Sequence, residues 1–207
     1  MTKRRTKRTA RAYGLKVLQS PHKDIRRLKR EHAPSLHGYK HWGAGWLLID
    51  YMRRCGMRPN SRVMDLGCGW GLVGIFCARN FGARVTAVDK DPAVFPFLEL
   101  HAGINGVALR ALQSGFEKLR CRELAQVDVI VGSDICFWDS MVNPLRLLIL
   151  RALRCGVRGV VISDPGRETF EELGRYFTKR KLGEIIDWTA PRPHATRGRI
   201  LRIERAV

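Results

Sequence analysis

The stretch Val63-Met-Asp-Leu-Gly-Cys-Gly-Trp-Gly71, followed by Arg84-Val-Thr-Ala-Val-Asp-Lys90, constrains this chain more than any other. An apolar run leads into an acid, Asp65, and then places a glycine at every second position: Gly67, Gly69 and Gly71. Such a turn lets the backbone pass close to a ligand, because no Cβ blocks the approach. A helix that follows it offers free N–H groups to polar or negative atoms. The second apolar run, Val85–Val88, ends in Asp89, which lies 20 residues past Gly69. At that offset a carboxylate can reach the hydroxyls of a ribose. The spacing departs from the dinucleotide fingerprint G-x-G-x-x-G, whose third glycine would fall at Leu72. A ligand-free strand-to-helix turn accounts for the glycines but not for the paired Asp89.

From Ser61 onward the chain alternates regularly between two patterns. Strands are expected near 62–66, 84–88, 108–112, 127–131 and 158–163. Helices are expected near 71–80, 92–104, 117–124 and 143–154. Strand–helix alternation at this rhythm means an α/β protein with a doubly wound, mostly parallel sheet. A helix near 167–177 follows Pro165. The last two strands, near 183–189 and 198–204, have no helix between them and are joined through Pro191-Arg-Pro193, so they are expected to pair antiparallel. Upstream, Met1–Ala12 reads as a disordered basic arm. Asp24–His32 has helical spacing and ends before Pro34. Gly38–Trp46 reads as a loop leading into an amphipathic helix over Leu47–Cys55. The expected division is a basic arm and helix over 1–38 and one domain over 39–207.

Charge narrows the partners. The chain carries a net charge of +19, and residues 1–30 hold twelve Lys and Arg against one Asp. A basic arm on a basic body predicts attraction to something anionic: nucleic acid, ribosomes or an acidic protein surface. No apolar run approaches the roughly 20 residues that span a bilayer, so no membrane partner is expected. No apolar segment follows the basic N-terminus as in a secretory signal. The six cysteines form no C-x-x-C pair. That spacing argues against a structural zinc site and a disulfide framework, and for a reducing, cytoplasmic setting. No metal ligands are assigned, and the oligomeric state is left open.

The pattern of glycines, with Asp65 two residues before the first, resembles motif I of the class I S-adenosylmethionine-dependent methyltransferases. A seven-stranded sheet ending in an antiparallel hairpin resembles their Rossmann-like fold. The resemblance implies S-adenosylmethionine as cofactor. It implies Asp65, Gly67, Gly69 and Gly71 around the amino-acid end of that cofactor and Asp89 on its ribose. The loop Leu112-Gln-Ser-Gly-Phe116 would pack on the adenine, through Phe116 or Gln113.

Within that class, Asp134-Ile-Cys-Phe137 resembles the [Asp/Glu]-x-x-[Tyr/Phe] motif of the seven-β-strand protein lysine methyltransferases. Trp42-Gly-Ala-Gly45 resembles their tryptophan-containing segment upstream of motif I, which makes Trp42 a cofactor-site residue. Ser163-Asp-Pro-Gly-Arg167 resembles a segment of the branch related to the methyltransferase of the electron-transfer flavoprotein β-subunit. The likeness covers roughly residues 39–190. It implies N-methylation of a lysine on a protein, with Asp134 and Phe137 catalytic and Asp134 also near the cofactor. A negative Asp134 can bind and orient an incoming ammonium, although by charge alone it raises that group's pKa. Phe137 and Trp138 can stabilise a cation through their ring faces. Asp139 is either a second carboxylate or a helix cap. Cys136 occupies the region where cytosine-C5 enzymes carry a nucleophile, but Ile135 precedes it where they usually have proline. His41, beside Trp42, is assigned a structural role. Two other readings stay open: an RNA or ribosome methyltransferase, in view of the charge, and a cofactor-binding module without catalysis.

Overall fold

In the computed structural model the described residues are 8–34, 38, 40, 43–192 and 194–204. Trp42 and His41 lie outside them.

The chain opens with a hairpin, β1 (Thr9–Ala12) and β2 (Leu15–Leu18), then α1 (Lys23–His32) and α2 (Gly43–Cys55). The alternating core follows: β3 (Arg62–Leu66), α3 (Leu72–Phe81), β4 (Arg84–Asp89), α4 (Phe95–Ile104) and β5 (Arg110–Gln113). It continues through α5 (Cys121–Leu124), β6 (Val129–Ser133), α6 (Asp139–Arg154), β7 (Gly159–Asp164), α7 (Glu168–Lys179), β8 (Gly183–Thr189) and β9 (Arg197–Glu204).

Seven strands form one sheet in the order β5-β4-β3-β6-β7-β9-β8. The first five run parallel. β9 runs antiparallel to both β7 and β8, as the helix-free connection requires. The inner strands β3, β4, β6 and β7 are largely apolar on both faces because helices cover both. Val63, Val85 and Val131 face a layer that includes Trp46, Leu48, Ile75 and Phe76 of α2 and α3. Their neighbours Met64, Val88 and Ile130 face Leu145, Leu148, Phe170 and Phe177 of α6 and α7. Strand order reverses between β3 and β6, which opens a crevice above the carboxyl ends of the strands.

Besides α6, which starts at Asp139 rather than near 143, and α5, which spans only Cys121–Leu124 of the expected 117–124, three features differ from expectation. Residues 9–12, expected to belong to a disordered arm, form the first strand of a hairpin over 9–18. Tyr13 and Gly14 both have positive φ, 52° and 78°, which closes a two-residue turn between the strands. Leu15, Val17 and Leu18 are then buried against the body, each contributing about 1.5–3 kcal/mol. The amide of Asn105 completes the attachment: it accepts from Lys16 N–H and donates to Lys16 C=O, both at 2.8 Å. This tertiary partner fixes a short strand that local pattern alone does not announce. Secondly, α2 starts at Gly43 rather than Leu47. Thirdly, Cys121 and Cys155 are disulfide-bonded, with Cα atoms 5.4 Å apart, against the expectation of no disulfide. The fold brings the start of α5 to the residue that caps the end of α6, a proximity invisible across 34 residues of sequence.

The N-terminal elements are packed on the body, not merely tethered to it. Leu18, Ile25 and Leu28 share a cluster with Trp70 and Phe97. His101 joins the hairpin to α4. Its Nδ1 lies 2.7 Å from Phe97 C=O, and its Nε2 accepts the Leu18 N–H at 3.1 Å. A ring that donates at Nδ1 and accepts at Nε2 is neutral. Burial pushes its pKa below the ordinary value of 6.5, although the two backbone contacts partly oppose this. The contribution of His101 to stability is therefore complete above about pH 6.5 and is lost as the pH falls below it. Thermal melts at pH 7.5 and 5.5 should show a drop in the melting temperature of the wild type. His101→Gln should show a smaller one, and equal drops would show that this histidine does not couple the hairpin to pH.

Candidate cofactor and acceptor site

The turn after β3 separates two sets of side chains. Gly67, Gly69 and Gly71 have φ of 59°, 51° and 78°. Cys68 and Trp70 between them point inward and are 8% and 3% exposed. The glycines serve different ends. A Cβ on Gly71 would lie 2.1 Å from Leu98 Cδ1, so this glycine lets α3 close onto α4. A Cβ on Gly67 would lie 2.6 Å from Ile135 Cγ2. A Cβ on Gly69 would meet nothing within 4 Å, so the space before it is open.

Asp89, at the end of β4, is pinned beside that opening. Its Oδ2 accepts the Gly69 N–H and its Oδ1 the Asp91 N–H, both at 3.0 Å. Each oxygen keeps a further lone pair for a ribose hydroxyl. Burial raises its pKa, while the bonds from Asp91 and Gly69 resist the rise. Asp65 sits deeper, 2% exposed, and its Oδ2 accepts the Gly74 N–H at 2.9 Å. Burial lifts its pKa to about 7. In this arrangement Asp65 ties β3 to the first turn of α3. Gly74 was not singled out from the sequence; a Cβ there would crowd Leu109 at 2.9 Å and Asp65 at 3.0 Å.

On the other flank of the crevice, Gln113 ends β5 with an exposed side chain. Phe116 is half-buried and packs against the α5–α6 side of the core. β6 leads to Asp134, whose φ of 60° is in the left-handed region. Aspartate tolerates that conformation better than most residues. Its N–H donates to Ser163 C=O at 2.8 Å, holding it against the end of β7. Its Oδ1 accepts from Arg167 Nη1, and the same nitrogen donates to Asp164 Oδ2 at 2.8 Å. Asp164 also accepts the N–H groups of Gly166 and Arg167, at 2.8 and 2.7 Å. Sequence reasoning quoted Arg167 within its segment but gave it no role. A lone cation beside Asp164, on the strand adjacent to Asp134, was the available signal.

Phe137 is half-buried, and Trp138, 55% exposed, meets it edge-on at 4.8 Å. Asp139 opens the first turn of α6, where a negative charge suits the helix dipole. Cys136 is buried, and burial pushes its thiol up to about 11, which excludes a thiolate nucleophile at neutral pH. The first turn of α2 reaches the same end of the sheet. Ala44 C=O accepts from Ser163 Oγ at 2.8 Å, and a Cβ on Gly45 would lie 3.1 Å from Leu72. The crevice thus brings together Gly67, Gly69, Asp89 and Asp134, with Asp65 and Gly71 shaping it from behind.

A family model described as a methyltransferase domain matches residues 63–156. The chain is 29% identical over 161 residues to the electron transfer flavoprotein beta subunit lysine methyltransferase of Xenopus laevis, covering 74% of this chain and 63% of that protein. It is 36% identical over 107 residues to the protein N-lysine methyltransferase METTL21A of Xenopus tropicalis, covering 48% of this chain and 47% of that protein. The chain therefore spans less than two thirds of either relative. Magnesium protoporphyrin IX methyltransferase from Synechocystis, solved with bound S-adenosylmethionine, shares the fold with a TM-score of 0.59 at 15% identity, over 88% of this chain and 98% of that one.

The open face at Gly69 and the pinned carboxylate of Asp89 fit the adenosyl group of S-adenosylmethionine. A hydrogen bond to a charged group is worth about 1.5–3 kcal/mol, so Asp89→Ala should weaken cofactor binding about a hundredfold in a calorimetric titration. Gly69→Val should abolish it by filling the approach, and unaltered affinity in both variants would place the cofactor elsewhere. Motif, sheet order and relatives agree in one direction: the chain carries a match to a methyltransferase domain over residues 63–156, has the fold of the class I S-adenosylmethionine-dependent methyltransferases, and resembles the lysine methyltransferase group related to that of the electron-transfer flavoprotein β-subunit.

Proposed function

We propose that this chain N-methylates a lysine side chain on a protein. The observation that carries the reading is the placement of Asp134. A carboxylate stands at the end of β6, next to the turn that fits the cofactor, on a backbone held in an uncommon conformation. Such local strain recurs where a side chain must be aimed. The likeness of this segment to the lysine enzymes supports the same assignment.

The bound cofactor supplies an activated methyl group on a sulfonium, and the protein's task is mainly alignment. Asp134 binds the acceptor's ammonium and directs it into the crevice. Phe137 walls the approach and offers a ring face to the cation. Trp138, exposed at the mouth, meets the surface of a macromolecular acceptor. The acceptor must still lose a proton, because a lysine amine has an ordinary pKa of about 10.4.

A second reading, an RNA or ribosomal acceptor, is favoured by the distribution of charge. Arg11 on the hairpin and Lys23, Arg26, Arg27 and Arg30 on α1 are all exposed. A basic face of this kind attracts phosphate and also acidic protein. Among the described residues no helix is long and apolar enough to cross a membrane.

Transfer of label from tritiated cofactor into a cell lysate, followed by protease or nuclease, separates the readings. Label should vanish with protease and survive nuclease; the reverse would select RNA, and cofactor binding without any transfer would select an inactive module. Asp134→Asn should reduce transfer about a hundredfold through misplacement of the acceptor while cofactor affinity stays nearly constant. Equal transfer by this variant would remove Asp134 from the mechanism.

A further inference from the structure

The sequence assigns no chemistry to Arg167, yet its guanidinium makes the densest charged contact at the acceptor end of the crevice. One nitrogen bridges Asp134 Oδ1 and Asp164 Oδ2. The carboxylates are brought together by the fold, since Ser133 and Ser163, which precede them, are paired across β6 and β7. Asp164 is 1% exposed and is fixed by two backbone N–H groups of the same turn. Arg167 therefore projects from a rigid base onto Asp134. Among the described residues, Asp134 Oδ2 has no hydrogen-bond partner, which leaves it for a second cation.

We propose that Arg167 is a positioning residue for the acceptor amine: it holds Asp134 in place and limits the negative charge that the amine meets. The inference rests on the reading of a lysine acceptor at Asp134. Two adjacent carboxylates would repel each other and would strongly stabilise an ammonium, keeping its proton on. With the guanidinium between them the cluster carries one net negative charge, which a single ammonium neutralises. The acceptor is held, yet its proton can pass to solvent and free the lone pair. Other charges on the packed elements include Asp139 on α6, Glu168, Glu171 and Glu172 on α7 and Arg199 on β9; Glu168 is paired with Arg175 at 2.7 Å. Arg199 is tied to Glu171 at 3.4 Å and Asp187 at 3.0 Å, so it does not compete for Asp134. Cys136 stays a neutral thiol.

The test is the pH profile, from 6.5 to 10, of label transfer from tritiated S-adenosylmethionine into protease-sensitive lysate protein. Wild type, Arg167→Gln, Arg167→Lys, Asp164→Asn and Asp134→Asn are compared, with calorimetric cofactor titration and thermal melts as controls. Arg167→Gln should bind cofactor normally, and its rise of transfer with pH should be displaced upward by about one unit. That shift leaves about tenfold less neutral amine, and tenfold less transfer, at pH 7.5. Arg167→Lys should restore most of the rate and the wild-type profile. Asp164→Asn, which removes a negative charge, should move the profile the other way. An unshifted profile in Arg167→Gln overturns the proposal. Should that variant melt early, Asp164→Asn decides, and an unshifted profile there overturns it equally. Loss of transfer in Asp134→Asn with unshifted Arg167 and Asp164 variants removes this inference alone. Wild type that labels no protease-sensitive protein, or Asp134→Asn that labels like wild type, removes the lysine reading and this inference with it.

Discussion

The bond from Gly69 N–H to the carboxylate of Asp89 is the contact on which the site depends. It closes the turn after β3 onto the end of β4, two strands whose parallel register already sets Leu66 beside Val88. The turn can make this bond only because its glycines take positive φ. Trp70 anchors the same turn from behind, stacked on Phe97 at 5.1 Å and on His101 at 5.4 Å, with its indole N–H on Gly38 C=O at 2.8 Å. Alternation of glycine with a buried side chain thus makes one face of the turn open and the other fixed.

The second theme is charge concentrated against the trend of the chain. In a protein of net charge +19, Asp65, Asp89, Asp134 and Asp164 gather at the carboxyl ends of four adjacent parallel strands. Burial raises the pKa of Asp65, Asp89 and Asp164, which records what it costs to keep negative charge there. Cations relieve that cost. Arg167 already does so for Asp134 and Asp164, and a sulfonium cofactor would do so for the others. The basic exterior has a different range of action, falling off within about 10 Å at ordinary salt. It steers partners, whereas the carboxylates act on what has arrived.

Much of the fold was readable in advance because each core strand is a short apolar run bounded by turn residues. The strand over 183–189 falls where the pattern put it, and β3 spans 62–66 as expected. α2 was placed four residues late, since Gly43 and Gly45 disfavour a helix by propensity. Packing overrides that preference: at Gly45 a side chain would press on Leu72. The hairpin over 9–18 was missed because the dense charge of residues 3–8 was read on through Thr9–Ala12, and because two four-residue strands carry little periodicity of their own. The disulfide was missed because neither cysteine has a partner nearby in sequence.

The sequence by itself determined the α/β class, the glycine turn, its pairing with Asp89 and the position of Asp134 after a strand, because these follow from local spacing and strand periodicity. Tertiary structure decided which side chains share a bond. It turned Asp65 inward to Gly74, set Gly71 against Leu98, and bridged Asp134 to Asp164 through Arg167. Those contacts join residues from separate strands and helices. Whether two carboxylates repel, or share one guanidinium, depends on distances that only a packed sheet can set.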